Sequence, residues 1–324
     1  MRISTAQYTT CGDRGVTIDQ RHIDNAAFAR QLYLDSMDPV EAAADWTHAL
    51  RISRKNVIVA LRTSKYLADI EGALVQSGRH SLVFRQLLAP PMSQDQFGLV
   101  CPSWNKSLEN AGKPLPAALA SAVAAAVRER LDHGIVRWQS GQLPRRLRDM
   151  RILLRVASTL MALQKISTSR RTRLAFEQEN AIIKLLADNG WSKLPSRLID
   201  TRAAVPPLHF MHKTRFATKT TAHQEVDIAC GLSGSYVLAM ECKVTNDVTN
   251  SVKRVNDVLK KAAAWKEHWG SFVMTAALLQ GVVAAKDVQR LSDAGVHVFW
   301  SHDLAAFQRW LATQVQPAML ISRP

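Results

Sequence analysis

Cysteine is scarce in this chain. Four residues in 324 (Cys11, Cys101, Cys230 and Cys242) are scattered with no C-x-x-C pair. That excludes a disulfide framework and a thiolate zinc site. Long apolar runs are missing too. The longest, residues 117–127, is interrupted by Ser121 and is shorter than the ~18–20 residues of a membrane span. The first 25 residues carry Asp13, Asp19 and Asp24 and no apolar core of a secretory signal. Acid is also in short supply, with 27 Asp+Glu against 42 Lys+Arg, a formal charge of +15. A chain that is 47% apolar and 21% charged is composed like a folded protein. Its length suits one large domain or two. The expectation is a soluble, cytoplasmic, strongly basic protein with no membrane partner.

An excess of this size points to a polyanionic partner, most often nucleic acid. Its clustering strengthens the point. Arg137, Arg145, Arg146, Arg148, Arg151, Arg155, Lys165, Arg170, Arg171 and Arg173 share one stretch with a single acid, Asp149. Such a run repels itself unless an anion lies along it.

The hydrophobic pattern changes near residue 170. Before it the chain reads as mostly helical, with helices over 26–35, 40–50 (Asp38 as N-cap, Pro39 in the first turn), 54–77, 117–132 and about 145–165. Residues 89–116 are too rich in Pro and Gly for any long element. After it the order becomes a helix over 174–189 and a possible short strand at 198–199. A hairpin follows, made of 223–230 and 236–244, and then a helix over 250–269. A strand over 271–279, a helix over 287–294, a strand over 296–300 and a helix over 303–312 complete it. That is an α/β order, a mixed sheet flanked by helices. The expected division is 1–170, a helical region for DNA recognition or dimerisation, and 171–324, the catalytic domain.

The hairpin carries the chemistry. Alternation puts Glu241 and Lys243 on one face and Met240 and Cys242 on the other. Asp227 and Glu241 lie equally far from Gly234, so a hairpin folded there sets them opposite, their Cβ atoms ~4.5–5.5 Å apart. Two bare carboxylates at that distance repel, and a divalent cation that prefers oxygen ligands removes the conflict. Lys243 points to the same spot and can position or deprotonate a water. Two acids, a lysine and a hard cation are what phosphodiester hydrolysis needs. Acid-x-Lys occurs once in the chain, at residues 241–243. Upstream, Phe176, Glu179, Ile183 and Leu186 share a helical stripe, so Glu179 is a candidate outlying ligand and Glu177 falls nearer the polar face. The histidines, including His209, His212 and His223, lack acid or thiolate partners at metal spacing and read as loop or DNA-facing residues. Trp265, Trp269, Trp300 and Trp310 read as core.

Asp227 with Glu241-Cys242-Lys243 resembles the PD-(D/E)xK nuclease signature. The segments 244–256 and 89–97 are similar to the XamI-type family of type II restriction endonucleases. The resemblance spans roughly residues 80–310. It implies a PD-(D/E)xK nuclease-like core and Mg²⁺-dependent cleavage of double-stranded DNA at a short specific sequence. It also implies a homodimer paired with a protective DNA methyltransferase. Val226 stands where the signature has proline. Read on their own, Asn246 and Asn250 can cap the helix that starts there. Lys253, Arg254 and Asn256 sit on its first turns, where phosphate and base edges are met. Together with Ser251 these form the expected DNA-binding set. Two other readings stand beside the restriction enzyme: a structure-specific or repair nuclease of the same fold, and a DNA-binding protein without catalysis. The intact Asp, Glu and Lys argue against the second.

Overall fold

The computed structural model describes residues 18–315 apart from 141–143, 145 and 221. Cys11, Asp13 and Arg145 lie outside the described residues.

The described residues form two compact units, one of them Asp38–Arg170 and the other those from Arg171 onward together with those before Asp38. The first helix, α1 (Gln20–Asp35), therefore belongs with the C-terminal sheet and not with the helical region that follows it. Its Ala26 and Ala29 are buried among Val255, Val258, Ala277 and Leu279. His22 and Asn25 hydrogen-bond to Ser292 and His302. This small apolar stripe finds its partner some 250 residues away, which a boundary drawn from local pattern cannot show.

The helical unit holds α2 (Pro39–Thr63), α3 (Ile70–Gln76), α4 (Ser81–Phe84), α5 (Gln94–Val100), α6 (Lys106–Ala111), α7 (Ala117–Glu129) and the first part of α8 (Leu147–Asp188). Asp38 caps α2 by accepting from the Val40 N–H, with Pro39 in the first turn, as the sequence suggests. The helix expected over 54–77 is instead two, because α2 runs through to Thr63 and Lys65, Tyr66 and Leu67 take positive φ. Val57, Leu61, Phe84, Leu87, Phe97, Val123 and Val127 fill the core. Arg85 is wholly buried there. Its Nε and Nη2 donate to Glu109 Oε2 (3.0 Å) and Oε1 (3.2 Å), and its Nη1 donates to the Met92 carbonyl (2.7 Å).

The two helices expected over 145–165 and 174–189 are one, α8. No Gly or Pro stands between residues 147 and 188, so nothing in the backbone ends it. Its exposed cations include Arg148, Arg151, Arg155, Lys165, Arg171 and Arg173.

In the other unit, the described residues form a seven-stranded mixed sheet: β1 (Ser192–Lys193), β2 (Leu198–Ile199), β3 (His209–Phe216), β4 (Gln224–Gly231), β5 (Val237–Thr245), β6 (Val273–Gly281) and β7 (His297–Trp300). The order is β1-β3-β4-β5-β6-β7, with β2 also on β3. β4 runs antiparallel to both β3 and β5, whereas β1 and β2 pair with β3 in parallel and β5, β6 and β7 are parallel to one another. One face packs Ile228, Cys230, Leu238, Met240 and Leu278 against the end of α8 and against α11 (Leu304–Thr313), which follows α9 (Val248–Trp269) and α10 (Ala285–Asp293). The other face packs Ala277 and Leu279 against α1, α9 and α10. Trp265 is fully buried on α9, and Trp269, Trp300 and Trp310 pack into the same cores. This is the α/β architecture expected, a mixed sheet with helices on both faces.

Candidate active site at the fork of the sheet

The hairpin of β4 and β5 turns through Gly234, which adopts φ +68°. Its register is the one the sequence predicts: Gly231 faces Val237 and Ile228 faces Met240. The ladder then stops one step short of Asp227 and Glu241. β4 continues on β3 to Phe216↔Gln224, and β5 continues on β6 to Thr245↔Gly281, so the sheet opens into a fork. Asp227 closes the mouth of the fork with its side chain. Its Oδ2 accepts the Cys242 backbone N–H at 2.8 Å, in place of a ladder bond. On the other side of β4, Lys213 is the residue in register with Asp227, and its φ of +50° interrupts the β3–β4 ladder at that pair.

Glu241 is completely buried. Its Oε2 accepts from Lys243 Nζ at 2.6 Å and from Lys261 Nζ, on α9, at 2.8 Å. Its Oε1 has no hydrogen-bond partner. Lys243 also pairs with Asp257 of α9 at 3.2 Å. Burial pushes the Glu241 carboxyl above its ordinary value, with Lys243 and Lys261 opposing and Asp227 adding to the rise. For Lys243 burial works against the charge, but Glu241, Asp227 and Asp257 outweigh it and the ammonium is held above its usual range.

Glu179 lies on the inward side of α8, nearly buried, and meets β3: His212 Nε2 is 2.7 Å and Lys213 Nζ 3.0 Å from its Oε2. His212 thus has the acid partner that sequence reasoning denied it, and it is a strand residue, not a loop one. The stripe that carries Glu179 inward is Gln178, Glu179, Ile182 and Leu186, whereas Phe176 is exposed. Glu177 is exposed and faces Arg173 at 3.9 Å. The thiol of Cys242 is pushed well up by burial, then by the charges of Asp227, Glu179 and Glu241, so all three acids act on one point of β5.

The expected DNA-binding set divides. Asp247, not Asn246 or Asn250, caps α9 by accepting the Asn250 N–H at 2.7 Å. The Asn250 side chain donates to Asn246 Oδ1. Ser251 is fully buried with its hydroxyl on Asp287, so it locks α9 against α10 and has no face for a ligand. Asn256 accepts from Arg290 Nη2 at 2.7 Å on the flank of the helix. At 3.6 residues per turn, Asn250, Arg254, Asp257 and Lys261 fall on one stripe. Its inner end touches Lys243 and Glu241, so Arg254 and Asn250 continue outward from the site. Lys253 is exposed beside that stripe.

Residues 65–300 match the XamI restriction endonuclease family. The chain belongs to that family. The type II restriction enzyme XamI of Xanthomonas campestris pv. amaranthicola is 27% identical over 190 residues, which cover 58% of this chain and 66% of that enzyme. The match therefore spans just under two thirds of the relative's length. Among solved structures, protein VC1899 from Vibrio cholerae aligns with 84% of this chain and 57% of its own, at 9% identity and a TM-score of 0.30, too low to bear on the site. The XamI match encloses Asp227, Glu241, Lys243 and Glu179 together with the stripe on α9.

A divalent cation fits this constellation. The described residues contain no cluster of three or more His, Cys, Asp and Glu side chains arranged as a ready metal cage. Mg²⁺ does not ask for one, since it usually keeps several waters and is held by one or two carboxylates plus substrate phosphates. A buried carboxylate with one oxygen unmatched, next to a second acid, is that kind of site.

Proposed function

We propose that this protein is a Mg²⁺-dependent type II restriction endonuclease that hydrolyses phosphodiester bonds of double-stranded DNA at a specific sequence. The observation that carries the proposal is Glu241: wholly buried, one oxygen between two lysines, the other without a partner, at the mouth of a fork in the sheet. A buried carboxylate with an unpartnered oxygen is costly even when its other oxygen is paired, and such groups cluster at functional sites.

Asp227 and Glu241 would hold the cation, with Glu179 as an outlying acid. When bound, Mg²⁺ lowers the pKa of the attacking water and offsets charge on the phosphorane. Lys243, kept protonated by its acids, orients the water and places positive charge beside the developing oxyanion. Asp257 fixes the Lys243 head group, and Lys261 keeps Glu241 from facing its desolvation alone. Arg254, Lys253 and Asn250 then meet the DNA along α9, and Asn246 lies at its start. The family resemblance extends the proposal to a homodimer, working in the cytoplasm alongside a methyltransferase that protects host DNA.

The test is incubation of the purified protein with unmethylated plasmid, with Mg²⁺ and with EDTA. Discrete fragments that require Mg²⁺ are the expected result. Intact plasmid under every divalent cation, or fragments that persist in EDTA, overturns the proposal.

A further inference from the structure

The fork has a second arm that the site just described does not use. Beyond Ile228↔Met240, β3 and β4 run on together, away from β5. A cleft of about 610 Å³ lies along that arm. Its cations are Arg197, Lys213, Arg215 and, when protonated, His223, and its acids are Glu225 and Asp227. Because Asp227 both lines the cleft and holds the Cys242 N–H, the cleft opens directly from the candidate catalytic acid.

We propose that this cleft cradles backbone phosphates of the DNA strand being cut, with Arg215 and Arg197 as the phosphate contacts. The inference rests on the nuclease reading and adds a second contact surface to it. The cleft wall is built and not incidental. Ser196 Oγ donates to the Lys213 carbonyl at 2.8 Å and Thr214 Oγ1 donates to the Arg197 carbonyl, so two hydroxyls clamp the 196–197 segment onto β3. Arg197 Nη2 donates to the Ala204 carbonyl at 2.9 Å, which anchors the guanidinium by one of its five N–H groups. Arg215 faces Glu225 at 3.8 Å with both side chains well exposed (63% and 74%), a pairing that a phosphate displaces at little cost. Lys213 is engaged by Glu179 and serves to hold that acid. A planar guanidinium matches the oxygens of a phosphate, which a lone ammonium does not. With Arg254 and Lys253 on the α9 side, a strand lying across the fork meets cations on both sides of the acids.

The experiment measures affinity for a fluorescent duplex of arbitrary sequence by anisotropy, across a series of salt concentrations without divalent metal. The proteins compared are the full chain and its Arg215→Ala, Arg197→Ala, double-alanine and Arg215→Lys variants. Each phosphate contact contributes about 0.9 to the slope of log K against log salt. Either alanine should flatten the slope by about 0.9 and the pair by about twice that, while Arg215→Lys keeps most of it. Arg215 is exposed, so its variants report binding whether or not Arg197→Ala perturbs the fold. A slope unchanged in Arg215→Ala and in the double variant overturns the cradle while leaving the nuclease reading intact. If the unsubstituted chain binds the duplex with no salt dependence, both fall together.

Discussion

Replacing Asp227 by asparagine and by alanine separates its chemistry from its structural role. The carboxylate does two things in this structure: it supplies negative charge beside Glu241, and its Oδ2 accepts the Cys242 N–H at 2.8 Å where the ladder has ended. Asparagine keeps an acceptor of the same shape and loses the charge. Alanine loses both and leaves a part-buried backbone donor without a partner, at a cost of about 1–3 kcal/mol. In the proposed mechanism the charge helps to hold the metal. Its loss removes about 4 kcal/mol of transition-state stabilisation, or about a thousand-fold in rate. Asp227→Asn should therefore cut at least about a thousand-fold more slowly in single-turnover plasmid cleavage. It should melt in urea like the parent and still shift DNA on a native gel. Asp227→Ala should be as inactive and also less stable by that 1–3 kcal/mol. An asparagine variant that cuts within about ten-fold of the parent would show that Asp227 holds no metal and that the fork is not the catalytic site.

Glu109→Ala should destabilise the helical unit by about 3–5 kcal/mol, read from urea denaturation by circular dichroism, because it strands a guanidinium that is 0% exposed; a loss under about 1 kcal/mol would mean the pair is dispensable. Gly281→Ala should cost about 1–3 kcal/mol from backbone strain at φ +87° and more from the clash of the new Cβ, 2.0 Å from the Thr245 carbonyl, so an unchanged thermal midpoint would contradict the β5–β6 geometry. Burial raises the Cys230 thiol, so alkylation at mildly alkaline pH followed by peptide mapping should find it unmodified in native protein and modified once the chain is unfolded; prompt native labelling of Cys230 would contradict the packing of β4 into the core. Lys243→Ala should abolish cleavage with DNA binding largely kept, and a variant cutting at the parental rate would remove Lys243 from the mechanism.

What the sequence showed and what it hid have different physical origins. Asp38-Pro39, Gly234 and the alternation around Glu241 are local signals, and the structure obeys them, down to the register of the hairpin. β3 is hard to read because its regularity is broken at Lys213, which takes a positive φ opposite Asp227 with no glycine or turn signal in the sequence to announce it. His212 looked partnerless for the same reason, since its acid comes from a helix 33 residues upstream. The single α8 hides behind a polar stretch around Ser167–Arg171 that has no core to pack on but contains nothing to stop a helix. Asp257 and Lys261 were within reach, because i, i+4 spacing on an amphipathic helix beside the Glu-x-Lys strand is a readable pattern. Which face of α9 meets β5 is decided only by packing.

That packing also explains why the acid at 241 can be both buried and usable. Up to Met240, β5 is flanked by β4 and β6, and a carboxylate there would be sealed among apolar side chains such as Leu238 and Leu278. Beyond Thr245 the strand has ended and a carboxylate would be solvated and ordinary. Position 241 is the first at which one flank is released while β6 and α9 still cover the other, so the side chain loses its water at the point where the sheet divides. The desolvation raises its pKa, and Lys243 and Lys261 pull the other way. A cation arriving at the unpartnered Oε1 would act in the same direction as those lysines, lowering the cost that burial imposes on the charged form. The register of the hairpin, set by a glycine seven residues before Glu241, thus determines where in the sheet the proposed cation would be held.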